Sequence, residues 1–357
     1  CERFSIMSGP TRPSPQNHCW MLIRWLRFWR VRRTNPICRP ASLGPRLVRD
    51  DRDYSDNVTG ISETRIVARP ILDRCHADRD DDEANRARWK DPMARLLLID
   101  PHDKVVMSNG RVATVPTEGD RDDQRDLFLG VVGGVPWFAR RNGEPRTEAC
   151  SLRTVDLDPT DREVVMAAVA ALAWHESKPT CPRCGEPTRI TNGGPARICA
   201  HGHQVFPRTD PAIIAAVLDA EDRIVLARQH SWAPHRRSLL AGFVEAGEPA
   251  EHALVREVAE ETTLSITAAR YVGSQSWPFP RSLMFGYVAR AAGTIDVGHD
   301  ELAGADFLTR DEVSDQVESG RLQLPPTLSI ARALIDAWLA HRLPEPESGL
   351  DLSSPLR

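Results

Sequence analysis

Three glutamates, Glu257, Glu260 and Glu261, stand at i, i+3 and i+4 in the stretch 242–264, GFVEAGEPAEHALVREVAEETTL. That spacing places them on one face of a helix, where each like-charge pair costs roughly 0.2–0.5 kcal/mol. The last two also meet the negative end of the helix dipole, at about 0.3–1 kcal/mol each. A helix shaped by stability alone would carry lysine or arginine there. An anionic cluster in so poor a place points to a bound cation, and carboxylate oxygens suit hard ions such as Mg2+ or Mn2+. With glycines at the entry of the loop and helix and acids at its exit, the segment reads as a platform for phosphate and metal. A solvated acidic helix face would show the same triplet, so the neighbours decide. Arg256 lies four residues before Glu260 and can fix a carboxylate. His252, one turn upstream, offers Arg256 no anionic partner. Leu254 and Val258 supply an apolar edge. Gly242 and Gly247 read as bracketing a short loop, and Pro249 suits a first helical turn.

A second constellation lies upstream. Cys181-Pro-Arg-Cys184-Gly185 is a knuckle that can give two thiolates to one ion. Cys199 is a third donor, and CAHGHQ offers either His201 or His203 as the fourth. The C-x3-H spacing favours His203. Four donors with no open position predict structural Zn2+ that contributes folding energy. The competing expectation is a decayed ribbon without metal, since only three cysteines are present. The other five of the eight cysteines are scattered, so no disulfide framework is expected and a reducing cytoplasm fits.

The elements that must position these residues follow from pattern. A chain of 357 residues with 41% hydrophobic content suggests two or three compact units. A net charge of -4 argues against a nucleic-acid coat protein but leaves phosphate-bearing substrates open. No apolar run reaches the ~18 residues of a membrane span. The nearest, residues 20–31 (WMLIRWLRFWRV), mixes aromatics with arginine as interfacial helices do. It lacks a signal-peptide cleavage pattern. Residues 1–65, rich in Pro and Arg and opening on Cys1, read as a disordered extension.

Residues 73–90 are highly charged and predict a solvated helix or loop. ARLLLID (94–100) reads as a buried strand, PHD as a turn and KVVM (104–107) as its partner. Residues 127–140 repeat strand, glycine turn, strand. A helix over 159–176, capped by Asp158 or Thr160, presents Val164, Val165, Ala168, Ala171, Leu172 and Trp174. Residues 66–177 therefore read as a mostly β domain ending in a linking helix, with no visible chemistry. The ribbon follows at 178–208. From 209 to 343, strands at 212–218, 223–228, 265–272 and 283–290 interleave with helices at 249–262 and 328–341, predicting a compact α/β unit. Residues 344–357 are a tail, and no internal repeat is present.

The stretch from Gly242 fits G-x5-E-x7-R-E-x2-E-E through Gly242, Glu248, Arg256, Glu257, Glu260 and Glu261, and so resembles the Nudix box. Thr263 stands where that box normally has glycine, which predicts a different turn after the helix. SQSWPFP (274–280) is similar to the segment that marks the NADH pyrophosphatase (NAD-capped RNA hydrolase) branch, with Ser276 in place of the usual proline. Trp277 and Phe279 offer flat faces for base stacking, on a loop stiffened by Pro278 and Pro280.

The resemblance runs over residues 90–343. It implies an α/β (α+β) fold: a Nudix α/β/α sandwich with a zinc ribbon and an N-terminal, mostly β domain. It also implies cleavage of the NAD(H) pyrophosphate bond to NMN(H) and AMP, removal of NAD caps from RNA 5′ ends, and a homodimer. Glu257, Glu260, Glu261, Glu301 and the Ala241 carbonyl would hold Mg2+ or Mn2+. Cys181, Cys184, Cys199 and His203 would hold Zn2+. Glu261, with Glu260, Glu257 and Arg256, would carry catalysis, Glu261 deprotonating the water. Phe206, Gln275, Ser276, Trp277, Pro278, Phe279, Pro280, Arg281, Ser282 and Ala331 fall at substrate-contact positions. Phe307 stands near where tryptophan is more usual. The rival expectations are a Nudix hydrolase for ADP-ribose or another nucleoside diphosphate derivative, and a non-catalytic nucleotide or RNA-binding module.

Overall fold

The computed structural model describes residues 70–177, 179–298 and 302–346, all within one compact unit. The extension before residue 70, with its 20–31 stretch, and the tail from 347 lie outside the described residues. No helix among the described residues is long and apolar enough to cross a membrane.

The charged stretch forms α1 (Asp82–Trp89), whose N-terminus is capped by Asp81 accepting from the backbone of Glu83 and Ala84. It is not merely solvated. Trp89 is fully buried, edge-on to Phe138 at 5.0 Å, and its indole N–H reaches the Gly119 carbonyl. One apolar residue at the helix end outweighs the charge of the rest, because burying an aromatic removes a large area from water.

Seven strands follow: β1 (Arg95–Ile99), β2 (Lys104–Ser108), β3 (Arg111–Val112), β4 (Thr114–Pro116), β5 (Leu127–Val132), β6 (Val135–Arg141) and β7 (Ala149–Ser151). The expected β1–β2 pairing is corrected. Asp100 closes the turn, its carboxylate accepting from the His102 and Lys104 backbone. The chain then leaves the sheet: β1 pairs with β4 and, in parallel, β6, while β2 pairs with β3 and β7. The expected β5–β6 hairpin forms. Helix α2 (Pro159–Ser177) starts on Asp158, whose carboxylate accepts from the Asp161 N–H. Its face of Val164, Val165, Ala168 and Leu172 closes a core over Leu97, Ile99, Leu127 and Leu129.

The ribbon is β8 (Thr188–Thr191), β9 (Ala196–Cys199) and β10 (Gln204–Val205), an antiparallel meander. Then come β11 (Asp210–Leu218), β12 (Ile224–Gln229), β13 (Leu240–Phe243), α3 (Ala250–Thr262), β14 (Ser265–Trp277), β15 (Ser282–Ala292), β16 (Leu302–Leu308), α4 (Arg310–Glu318) and α5 (Ile330–Leu339). The sheet order is β14-β15-β11-β12-β16, with β13 also on β11 and only β11–β15 parallel.

Strand β11 shows how the sandwich arises. Ile213, Ala215 and Val217 enter one core with Ala253, Leu254 and Val258 of α3. Ile214, Ala216 and Leu218 enter another with Leu334, Ile335 and Trp338 of α5. Successive side chains of a strand point to opposite faces, so a run apolar throughout needs a cover on both. The result is the expected α/β/α sandwich. The sequence reading missed β13, β16 and α4.

Candidate functional site

Helix α3 and strand β13 build the centre of the site. Gly242 lies inside β13, opposite Ile213, and so does not flank a loop as expected. A Cβ on Gly242 would fall onto the Glu257 carboxylate, so this strand needs glycine to let the acid lie across it. Arg256 gathers the rest. Its Nε and Nη2 bind both Glu248 oxygens at 2.8 Å, and Nη1 binds Glu257 and Glu260, each at 2.9 Å. Nη2 also reaches the Phe243 carbonyl at 2.9 Å. All five guanidinium N–H donors are thus used.

Arg256 and the Glu245 backbone N–H together hold the Glu248 carboxyl down at about 2. The same contacts, Glu248 first, raise the Arg256 pKa further above its ordinary value. Sequence spacing had suggested only Glu260 as a partner. Glu248, eight residues away on the loop before the helix, was visible as a box position but not as the main anchor.

Glu261 is only 7% exposed and faces a cavity of ≈ 200 Å³ that Ala241, Gln275, Trp277 and Ala331 also line. Five of the expected residues are therefore brought together. Others are placed differently. The Gln275 amide donates to the Leu328 carbonyl and accepts from the Ile330 N–H, both at 2.7 Å, so it is spent on the start of α5. The SQSWPFP segment is a loop only at its end: residues up to Trp277 continue β14, with Ser276 exposed opposite Leu283.

Phe279 does not share the cavity with Trp277 but packs against the α2 core. Pro278 is buried and Pro280 exposed, neither lining the cavity. Arg281 pairs with Asp210 at 3.0 Å, and Ser282 is buried opposite Asp210 in the sheet. Phe206 is 61% exposed ahead of β11, outside the cavity lining. Glu301 lies outside the described residues. Sequence reasoning missed Trp232 and Arg236, which line the cavity with the guanidinium 4.8 Å over the indole. The signal available was a tryptophan within an otherwise polar loop.

Thr263 itself takes the left-handed conformation (φ 61°) expected of glycine, and its N–H caps α3 on Ala259. Its hydroxyl donates to the Thr294 carbonyl at 3.1 Å, offsetting part of a strain of about 1–2 kcal/mol. The expectation of a different turn is corrected: the helix stops as glycine would stop it.

In the ribbon, Cys181, Cys184, Cys199 and His203 bring one donor atom each within 4.8 Å of the others. Cys184 Sγ to Cys199 Sγ is 3.8 Å and Cys181 Sγ to His203 Nδ1 is 3.7 Å. A tetrahedron with Zn–S near 2.3 Å and Zn–N near 2.05 Å has edges of about 3.8 and 3.6 Å. The donor set therefore fits zinc, through His203 and not His201. Burial acts to raise the Cys181 thiol, but the Arg183 and Cys184 backbone and its Cys184 and His203 neighbours bring it down to about 6. Among the described residues this is the one group of three or more such donors that converges on a point.

The ribbon tip docks on the first core. Gly193 accepts from the Phe128 N–H at 2.8 Å, and the Gln124 amide binds both backbone groups of Ile190. His175 donates from Nε2 to the Gly194 carbonyl at 2.7 Å and accepts from Arg197 at Nδ1, which requires a neutral ring. Burial pushes its pKa down to about 4; the Gly194 bond opposes this and Arg197 reinforces it. The unfolded histidine titrates near 6.5. Between those values the unfolded chain binds the extra proton, so this stability is complete above about pH 6.5 and lost as pH falls to about 4. Urea midpoints across that window are expected to slope less in His175→Gln; an identical slope would count against the assignment.

The NUDIX domain model matches residues 208–328, the span that holds β11, the glutamate helix and most of the cavity lining. Fold and site thus define the class as Nudix. NudC of Mycobacterium tuberculosis strain ATCC 25618 / H37Rv, named an NAD-capped RNA hydrolase, is 39% identical over 314 residues, 80% of this chain and 99% of its own. The NudC of Mycobacterium bovis strain BCG / Pasteur 1173P2 matches to the same extent. The human NAD-capped RNA hydrolase NUDT12 is 31% identical over 292 residues, 71% of this chain and 63% of its own. The chain belongs to the Nudix hydrolases, in the branch these relatives form.

Proposed function

We propose that this protein hydrolyses the diphosphate bond of NAD(H) to NMN(H) and AMP, and removes NAD caps from RNA 5′ ends. The observation that carries the reading is the shared cavity of Glu261 and Trp277, which sets a carboxylate beside an aromatic face. The names of the NudC and NUDT12 relatives support the same substrate class.

Carboxylate and carbonyl oxygens suit Mg2+ or Mn2+. Glu257, Glu260 and Glu261 of α3 would hold such ions, and we assign the Ala241 carbonyl and Glu301 to the same set. When bound, such ions supply charge neutralisation on the phosphorus oxygens and a more acidic water. Glu261 accepts the proton from the attacking water. Arg256 is a positioning residue, its donors spent on Glu248, Glu257, Glu260 and Phe243. Trp277 offers its face to a base, and Ala331 leaves room at the cavity wall. We further assign a homodimer acting in the cytoplasm.

The deciding experiment offers NADH, NAD+ and ADP-ribose in competition with Mn2+ or Mg2+ present. NAD(H) is expected to be consumed first. Preference for ADP-ribose would replace the reading with that of another Nudix hydrolase, and no turnover of any would leave a binding module.

The ribbon gives a separate prediction. Purified protein is expected to carry about one Zn2+ per chain, lost in Cys199→Ser with a lower melting temperature. Zinc content by mass spectrometry checks this, and a variant retaining full zinc would refute the ligand set.

A further inference from the structure

Among the described residues, the first, mostly β part of the chain lends no side chain to the cavity lining, yet one contact chain leads from it to the cavity wall. The turn after β7 is anchored by Leu152 and Leu157, both fully buried in the α2 core. It closes through the Ser151 carbonyl, which accepts from Thr154 and Val155 at 3.0 Å. Arg153, exposed between those anchors, makes no ion pair among the described residues. Its guanidinium lies over the Phe279 ring at 5.2 Å. Phe279 packs against the same core and meets Trp277 edge-on, with centroids 5.3 Å apart and planes at 80°. The Phe279 N–H donates to the Trp277 carbonyl at 2.8 Å, a three-residue turn that ties the two rings together. Trp277 lines the cavity.

We propose that Arg153 and Phe279 are positioning residues that set the orientation of Trp277, so that the N-terminal part of the chain tunes recognition of the substrate's base. This rests on the reading that Trp277 faces that base. A ring held by an edge contact on one side and offered to a ligand on the other is pre-organised, which lowers the cost of binding. The guanidinium over Phe279 fixes the support in turn. The proposal gives the first domain a role in affinity and not in the chemical step.

The test uses the full chain. Arg153→Ala is expected to raise KM for NADH about threefold, the size of one exposed cation–ring contact, with kcat within about twofold. Phe279→Leu, which keeps apolar packing, should raise it further. Arg153→Lys should restore KM, because it keeps the cation. In a Trp277→Ala background Arg153→Ala should have no further effect.

An unchanged KM for NADH in Arg153→Ala would overturn the proposal. So would an undiminished effect in the Trp277→Ala background. A readout independent of turnover is amide exchange over residues 274–282, expected to quicken in Arg153→Ala. If wild-type protein cleaves no NADH, the proposed function fails, and unchanged exchange there would overturn the positioning role as well.

Discussion

Glu261→Gln is expected to lower kcat for NAD(H) hydrolysis about a thousandfold, with the melting temperature within a few degrees of wild type. On the proposed function the size follows from removing a general base, typically 10²–10⁴, and with it the charge of a carboxylate that would face the metal. Glutamine has nearly the same shape, so the cavity wall formed with Ala241 and Trp277 keeps its packing. Burial sharpens the effect: at 7% exposure, water does little to replace the lost charge. KM should change much less, because the proposed function gives binding of the base to Trp277. Steady-state kinetics with saturating Mn2+ measure both numbers, and a kcat within threefold of wild type would remove Glu261 from the role.

Gly242→Ala is the second large effect, and it distinguishes geometry from mere conformational freedom. The new methyl group would occupy the space of the Glu257 carboxylate. The acid must leave, and with it the contacts that Arg256 makes to Glu257 and Glu260. We expect kcat to fall at least about a hundredfold and stability to fall by about 1–3 kcal/mol, the usual cost of overpacking. Gly247→Ala is the control. Gly247 has φ +86° but open space around its Cβ position. Alanine there costs about 1–2 kcal/mol of backbone strain and leaves turnover in place. Equal activity in the two variants would show that Glu257 does not depend on Gly242.

These residues also show what could be read before the fold was seen. The glutamate spacing, the apolar run of β11 and the cysteine knuckle were legible because each pattern has one economical solution: a shared helix face, a doubly covered strand, a four-donor site. Partners remote in sequence were not. The turn at Asp100 was clear in PHD, but nothing local says that β1 takes β6 as its neighbour and not β2. Trp277 and Phe279 looked equivalent, yet one lines the cavity and the other joins a different core. Helix α4 was missed although Thr309 and Glu312 form a capping box, a signal the sequence did carry. Thr263 misled because its side-chain bond to Thr294 joins residues 31 apart.

The saturation of Arg256 fixes the electroneutrality of the loaded site. Glu248, Glu257 and Glu260 bind the Arg256 guanidinium, while Glu261 faces the cavity that Arg236 also lines, an excess of two acids if all are ionised. Arg256 has no N–H left to greet an incoming diphosphate, whose own negative charge deepens the deficit. On the proposed function, roughly two dications would have to arrive with the substrate or before it. Apparent affinity for dinucleotide should accordingly track free Mg2+ or Mn2+, which would make the cell's ion supply a governor of cap and cofactor turnover.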